Sequence, residues 1–164
     1  MSNLETRFTL ETRFTLEIRF TLEDNIKALG KKLGIDFTPI RAHATDAGAD
    51  IRAPYDFTVG ALASVVVDTG VSVELPPNTK GEIKSKSGLN INHGILTTGL
   101  IDEGYTGTIK VRVYNLGFER YAFHAGDKMT QLCVSPVYYP TYVETDVIEG
   151  GERGNAGFGS TGKR

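Results

Sequence analysis

Five short clusters in this sequence carry residue types that can bind phosphate or move a proton. The glycine-rich end, Gly157-Phe158-Gly159-Ser160-Thr161-Gly162, fits the G-x-G-x-x-G spacing. Read one residue further it approaches a P-loop, but Arg164 stands where Ser or Thr is required, and no strand before or helix after is expected. Both nucleotide-fold readings therefore fail. What survives is local chemistry: backbone N–H groups, two hydroxyls (Ser160 and Thr161) and Arg153 can wrap a polyphosphate. Phe158 offers a flat face on which a base can stack, which argues against a merely floppy tail.

The second cluster is Lys84-Ser85-Lys86-Ser87-Gly88-Leu89. Read as an extended segment, it puts two lysines on one face, and Ser87-Gly88 lets a phosphate approach the backbone. Alone, it reads equally well as a solvated strand edge guarded by lysine. The third is Gly99-Leu100-Ile101-Asp102-Glu103-Gly104-Tyr105-Thr106-Gly107. An aspartate behind an apolar wall at a strand end can serve as a general base, although by itself Asp102 reads as a turn residue. Asp46-Ala47-Gly48-Ala49-Asp50 and Gly126-Asp127-Lys128-Met129-Thr130-Gln131-Leu132 complete the set, each a turn when taken singly.

In this order, from Ala47 to Gly162, the clusters resemble the five motifs of the trimeric dUTPase family. Ala47-Gly48-Ala49-Asp50 is similar to the first motif and Ser85-Lys86-Ser87-Gly88-Leu89 to the second. Gly99 through Asp102, with Tyr105 and Gly107, resembles the third, and Gly126-Asp127-Lys128 with Gln131-Leu132 the fourth. Arg153-Gly154 and the run from Gly157 to Gly162 resemble the fifth.

The resemblance implies hydrolysis of dUTP to dUMP and pyrophosphate. Asp102 would deprotonate the water that attacks the α-phosphorus in line with the departing pyrophosphate. Tyr105 would pack on the deoxyribose, while backbone groups of the hairpin with Gly99 and Ile101 read the uracil edge. Lys86, Ser87, Gly88 and Gln131 would meet phosphate oxygens. Phe158 and Gly159 would close over the uracil, with Arg153, Ser160 and Thr161 on the outer phosphates. Asp50 and Asp127 are expected to support these groups rather than to ligate metal. Mg²⁺ would ride on the triphosphate and waters. A homotrimer with shared sites and an arm supplied by a neighbour is also implied.

Two departures stand out. The second motif usually carries Arg where this chain has Lys86, which keeps the charge and loses the bidentate fork. Ala156 replaces a glycine of the fifth motif. A deaminase of dCTP on the same fold is the nearest rival, but Arg112 stands where its catalytic glutamate is expected, and arginine cannot accept a proton. A nucleotide-sensing regulatory protein on this fold is the rival of another class.

The elements that must position these residues are mostly strands. Val65 to Val67, Val71 to Leu75, Ile83 and Ile109 to Val113 are short β-type runs. Asp68-Thr69-Gly70, Pro76-Pro77-Asn78, Asp102-Glu103-Gly104 and Ala125-Gly126-Asp127 punctuate them as turns. The pattern predicts an all-β sandwich or barrel, jelly-roll-like by the resemblance, with a glycine-rich C-terminal arm. A short helix is expected from Asp24, as cap, to about Gly34. The division expected is 1–34 for the N-terminal extension and helix, 35–149 for the β domain and 150–164 for the arm.

The extension repeats LETRFT, LETRFT, LEIRFT, alternating apolar and charged residues as an amphipathic strand does. It reads as a tandem duplication of one strand, with the extra copies extended or frayed. The alternative is an assembly strand that pairs with other subunits through an open edge.

Composition narrows the class further. The 164 residues carry 18 basic and 20 acidic side chains, a net charge of −2 that gives no general attraction to nucleic acid. No apolar run approaches a membrane span, and no secretory signal is expected, so the location expected is cytoplasmic, or host cytoplasm for a viral protein. The single cysteine, Cys133, excludes an internal disulfide and reads as a buried small hydrophobe. His43, His93 and His124 sit near turns and read as structural.

Overall fold

Valine and isoleucine at alternate positions give this chain its strands. The computed structural model describes residues 16–148 together with Gly151 and Gly154. Its strands are β1 (Arg19–Leu22), β2 (Gly48–Arg52), β3 (Phe57–Val59), β4 (Ser64–Asp68), β5 (Val71–Glu74), β6 (Thr79–Lys84), β7 (Ile95–Ile101), β8 (Lys110–Asn115), β9 (Tyr121–Phe123) and β10 (Lys128–Pro136). Two helices interrupt them, α1 (Asp24–Leu33) and α2 (Ser87–His93). In β8, Val111 and Val113 are fully buried while Lys110 and Arg112 face water, the period of two that a half-covered sheet requires.

Six strands form one antiparallel sheet in the order β2-β10-β6-β7-β8-β4, curled against the two-stranded sheets β1-β5 and β3-β9. Ile51, Val67, Val71, Ile83, Ile95, Phe123 and Met129 fill the space between. Each such side chain contributes about 1.5–3 kcal/mol by leaving water. The expected all-β, jelly-roll-like class is what the chain adopts, and the expected turns fall between strands as written.

β10 carries the irregularity that matters for the site. Its pairing with β2 shifts between Lys128 and Thr130, a bulge that lets Met129 and Thr130 both point inward. The next residue, Gln131, then lies opposite Asp50 on one side and Lys84 on the other.

Helix α1 occupies the expected stretch, with Gly34 ending it in the left-handed region. The cap differs from expectation. Glu23, held extended by its N–H bond to Gly70 O at 2.9 Å, is the cap, and Asp24 is the first helical residue, paired with Lys27 at 2.9 Å. Gly70 has φ 64°, and a Cβ there would meet Ile26 Cγ1 at 2.5 Å, so this turn accepts only glycine beneath the buried Ile26.

Two further expectations are corrected, on the second cluster and on Cys133. The second cluster is not extended throughout: Lys86 is an extended cap and Ser87-Gly88 opens helix α2, which Gly94 stops at φ 68°. A seven-residue helix with no buried residue has no apolar stripe, so periodicity could not reveal it. Cys133 is half-buried rather than buried, and burial raises its thiol pKa. Of the apolar face expected for the repeat, Ile18 and Leu22 pack on the core while Phe20 stays 41% exposed. The copies from Leu4 to Thr15 lie outside the described residues.

Candidate active site

Asp102 is the first residue after β7. Ile101 ahead of it is buried, whereas Asp102 is exposed, so its carboxylate stands at the rim of the sheet with an apolar wall behind. The chain then turns sharply, with Tyr105 N–H donating to Asp102 O at 3.2 Å and Gly104 at φ 84°. Tyr105 is locked in two ways. Its hydroxyl donates to Thr108 O at 2.9 Å, and Gly107 lies so close that a Cβ there would meet the phenol oxygen at 2.7 Å. The hairpin encloses a cleft of about 180 Å³ between Ile83, Gly99, Ile101, Asp102, Tyr105 and Ile109.

A second corner forms where β2, β10 and β6 adjoin. Asp50 is buried and sits between two lysines, hydrogen-bonded to Lys86 Nζ through Oδ1 and 2.8 Å from Lys128 Nζ through Oδ2. Burial pushes its carboxyl pKa up, but the hydrogen bonds and charges of Lys128 and Lys86 outweigh that and hold it below the usual carboxylate value. Gln131 donates from Nε2 to Ser85 O at 2.9 Å, fixing the segment that carries Lys86, Ser87 and Gly88. Gly88 has open space around its Cα, so nothing obstructs that end of α2. Lys84 reaches Glu82 at 3.4 Å instead of joining Lys86.

Behind this corner runs a chain of hydroxyls. Thr130 Oγ1 donates to Lys84 O at 3.0 Å and lies 2.8 Å from Thr97 Oγ1. Ser85 Oγ accepts from Thr97 N at 2.8 Å and donates to Thr97 O at 3.2 Å. Thr97 and Thr130 are both buried. Sequence reasoning missed Thr97, and it placed Lys128 and Thr130 in the fourth cluster without giving either a role. The one available signal was a polar Thr130 wedged between Met129 and the glutamine of the fourth cluster.

The structure therefore brings together Asp50, Lys86 and Gln131 in one corner, and Gly99, Ile101, Asp102 and Tyr105 in the other. Gly99 lies opposite Ile83, and Thr98 opposite Lys84. Asp102 is four residues beyond Thr98, roughly 13 Å along the strand, and Lys86 leads away in the opposite direction. The two corners do not meet within one chain. Asp127 belongs to neither, since its carboxylate accepts His124 N–H at 2.8 Å and closes the β9–β10 turn. Arg112 lies on the exposed face of β8, bonded to Ser64 Oγ at 3.1 Å. His43 pairs with Asp46 and His124 with Asp56, while the His93 ring leans on Tyr121. Arg153, Phe158, Gly159, Ser160 and Thr161 lie outside the described residues.

The described residues thus form a jelly-roll β domain with an exposed carboxylate at the rim, a cleft lined by Tyr105 and a corner that holds two lysines. A sequence model of the dUTPase family matches residues 37–162, and the chain belongs to that family. The deoxyuridine 5'-triphosphate nucleotidohydrolase of Clostridium kluyveri is 39% identical over 127 residues, covering 76% of this chain and 89% of that protein. The human mitochondrial enzyme of the same name is 37% identical over 126 residues, covering 76% of this chain and 50% of its own length. Among solved structures, the dUTPase of Staphylococcus bacteriophage 80alpha with dUPNHPP superposes at a TM-score of 0.78 and 25% identity, covering 90% of this chain and 99% of that one. A dUTPase variant from phage phi11 of S. aureus, described for its coordination of a structural Mg(II) ion, superposes at 0.69 and 23% identity, covering 82% and 100%. No helix among the described residues is long and apolar enough to cross a membrane.

Proposed function

We propose that this chain hydrolyses dUTP to dUMP and pyrophosphate, with Asp102 as general base. The observation that carries the assignment is the exposed Asp102 carboxylate lining one cleft with a hydrogen-bonded Tyr105. Asp102 accepts a proton from a water as its oxygen attacks the α-phosphorus, and the bond to the bridging oxygen breaks to release pyrophosphate. Tyr105 lies flat against the sugar and leaves no room for a 2′-hydroxyl. Backbone groups from Gly99 to Ile101 meet the uracil edge.

Lys86, Ser87, Gly88 and Gln131 take the phosphate oxygens, with Asp50 holding Lys86 in place. Asp127 acts only through its turn. Arg153, Ser160 and Thr161 grip the outer phosphates, and Phe158 with Gly159 covers the base. Among the described residues no group of three His, Cys, Asp or Glu side chains could hold a metal ion, so Mg²⁺ would sit on the triphosphate oxygens and waters, the hard ligands it prefers. There it would neutralise charge on the phosphate oxygens. The separation of the two corners supports a homotrimer, in which one subunit's Asp102 cleft meets a neighbour's Lys86 corner.

Pyrophosphate release from dUTP, dCTP, dTTP and UTP with Mg²⁺, beside an Asp102→Asn control, tests the assignment. Hydrolysis of dUTP alone, lost in the control, is expected. Binding of dUTP with no hydrolysis would reduce the chain to a nucleotide sensor. Ammonia from dCTP would overturn the exclusion of a deaminase that rests on Arg112.

A further inference from the structure

We infer, resting on the role proposed above for Tyr105, that Asp68 is a positioning residue for choice of the sugar. It acts through Thr108 to hold the Tyr105 ring where a 2′-hydroxyl cannot enter. Along the chain, Asp68-Thr69-Gly70 is only a turn. In the fold that turn supports the loop that leaves the Asp102 hairpin.

Asp68 closes β4, and each oxygen of its carboxylate has an anchor. Oδ1 accepts the Gly70 N–H at 3.1 Å, which holds the side chain against its own turn. Oδ2 accepts the Thr108 hydroxyl at 3.0 Å, a contact across 40 positions. Lys110 stands opposite Asp68 in the β4–β8 register, with its Nζ 3.9 Å from Oδ2. Thr108 then passes the anchor toward the site, because its carbonyl oxygen accepts the Tyr105 hydroxyl at 2.9 Å.

The β4–β5 turn is itself fixed. Thr69 is fully buried and grips Ile109 O twice, through its N–H at 3.0 Å and its Oγ1 at 2.9 Å. Ile109 N–H donates to Val71 O at 2.8 Å, and Gly70 O accepts the Glu23 N–H at 2.9 Å. Thr106, Gly107 and Thr108, by contrast, make no backbone–backbone hydrogen bond among the described residues. The place of the Thr108 carbonyl thus depends on the Ile109 clasp beside it and on the bond from its own hydroxyl to Asp68. Tyr105 is 45% exposed, too open for packing alone to fix its ring. Tyr105, Ile109 and Lys110 line the same cleft as Asp102, so a ring released from these bonds moves within that cleft. Rejecting a single extra oxygen needs a wall held to about 0.5 Å, which a chain of hydrogen bonds to a fixed turn supplies.

Binding of dUDP and UDP by calorimetry tests this, since both keep base and sugar but lack the pyrophosphate leaving group. The preference is the ratio of their dissociation constants for the full chain with Mg²⁺. Thr108→Val and Asp68→Ala are each expected to lower the preference for dUDP about fivefold, the factor that one net hydrogen bond carries. Thr108→Val keeps nearly the same shape and leaves Asp68 with Gly70 and Lys110, so it reports even where Asp68→Ala fails to fold. In the Tyr105→Phe background, Thr108→Val is expected to lower the preference no further, because both changes break one line of contacts. A merely structural role would weaken both ligands equally. An unchanged preference in either single variant that folds, or losses that multiply in the double variant, would overturn the inference. Tyr105→Ala separates this from the reading it rests on. Relaxed choice in Tyr105→Ala beside intact choice in Thr108→Val removes only the role of Asp68. Intact choice in both removes the role of Tyr105 as well.

Discussion

The Asp102 hairpin and the Lys86 corner hold reactive groups in opposite ways. The hairpin keeps Asp102 exposed and controls only its neighbour, pinning Tyr105 by one hydrogen bond and one glycine. The corner buries Asp50 and braces its cations from behind with Thr97, Thr130, Ser85 and Gln131. A proton acceptor needs access to water, whereas a phosphate-binding cation needs a fixed address that two long, flexible side chains do not supply alone. Changes in the hairpin should therefore alter chemistry without altering stability, and changes in the corner should alter both.

The sharpest separation comes from Asp102→Asn. Turnover is expected to fall about a thousandfold, within the range for loss of a general base, with an unchanged melting temperature by calorimetry. A matching loss of stability would break the comparison. Thr130→Val is the counterpart in the corner. Removing a buried hydroxyl that meets Thr97 and Lys84 O should cost about 1–3 kcal/mol, lowering the denaturation midpoint and raising KM together.

Gly107→Ala comes next. The new methyl would strike the Tyr105 phenol, releasing its bond to Thr108 O, worth about 1 kcal/mol. A several-fold drop in kcat/KM for dUTP and weaker rejection of UTP are expected in steady-state assays, with stability nearly unchanged.

Acid distinguishes the regions most gently. The Asp50 carboxyl is depressed in the folded state, so its stabilising effect is complete above the unfolded value of about 3.9 and fades as pH falls through the lower folded value. Thermal melts below about pH 4 should show this loss in the natural chain, and Asp50→Asn should flatten that segment.

How much of this could be read beforehand differs by region. The hairpin was legible because its parts are contiguous: Gly99 to Gly107 carries wall, carboxylate, turn and tyrosine within nine residues. The corner was legible only as separate turns. Its Lys86–Asp50 contact spans 36 positions and its Gln131–Ser85 contact 46, and local periodicity carries no information about which strands become neighbours. Helix α2 was misread as extended because a solvent-facing turn of chain leaves no apolar pattern.

By itself the sequence determined the strand-rich class, the turns, the family motifs and the aspartate proposed as the base, because alternation, glycine placement and side-chain chemistry are properties of the chain. Only the tertiary structure decided that β2, β10 and β6 lie side by side, that Asp50 is shared by two lysines, and that Asp102 ends at the opposite rim from Lys86. Those facts follow from sheet order and from a bulge at Lys128–Thr130, which burial of the whole core selects and no single segment encodes.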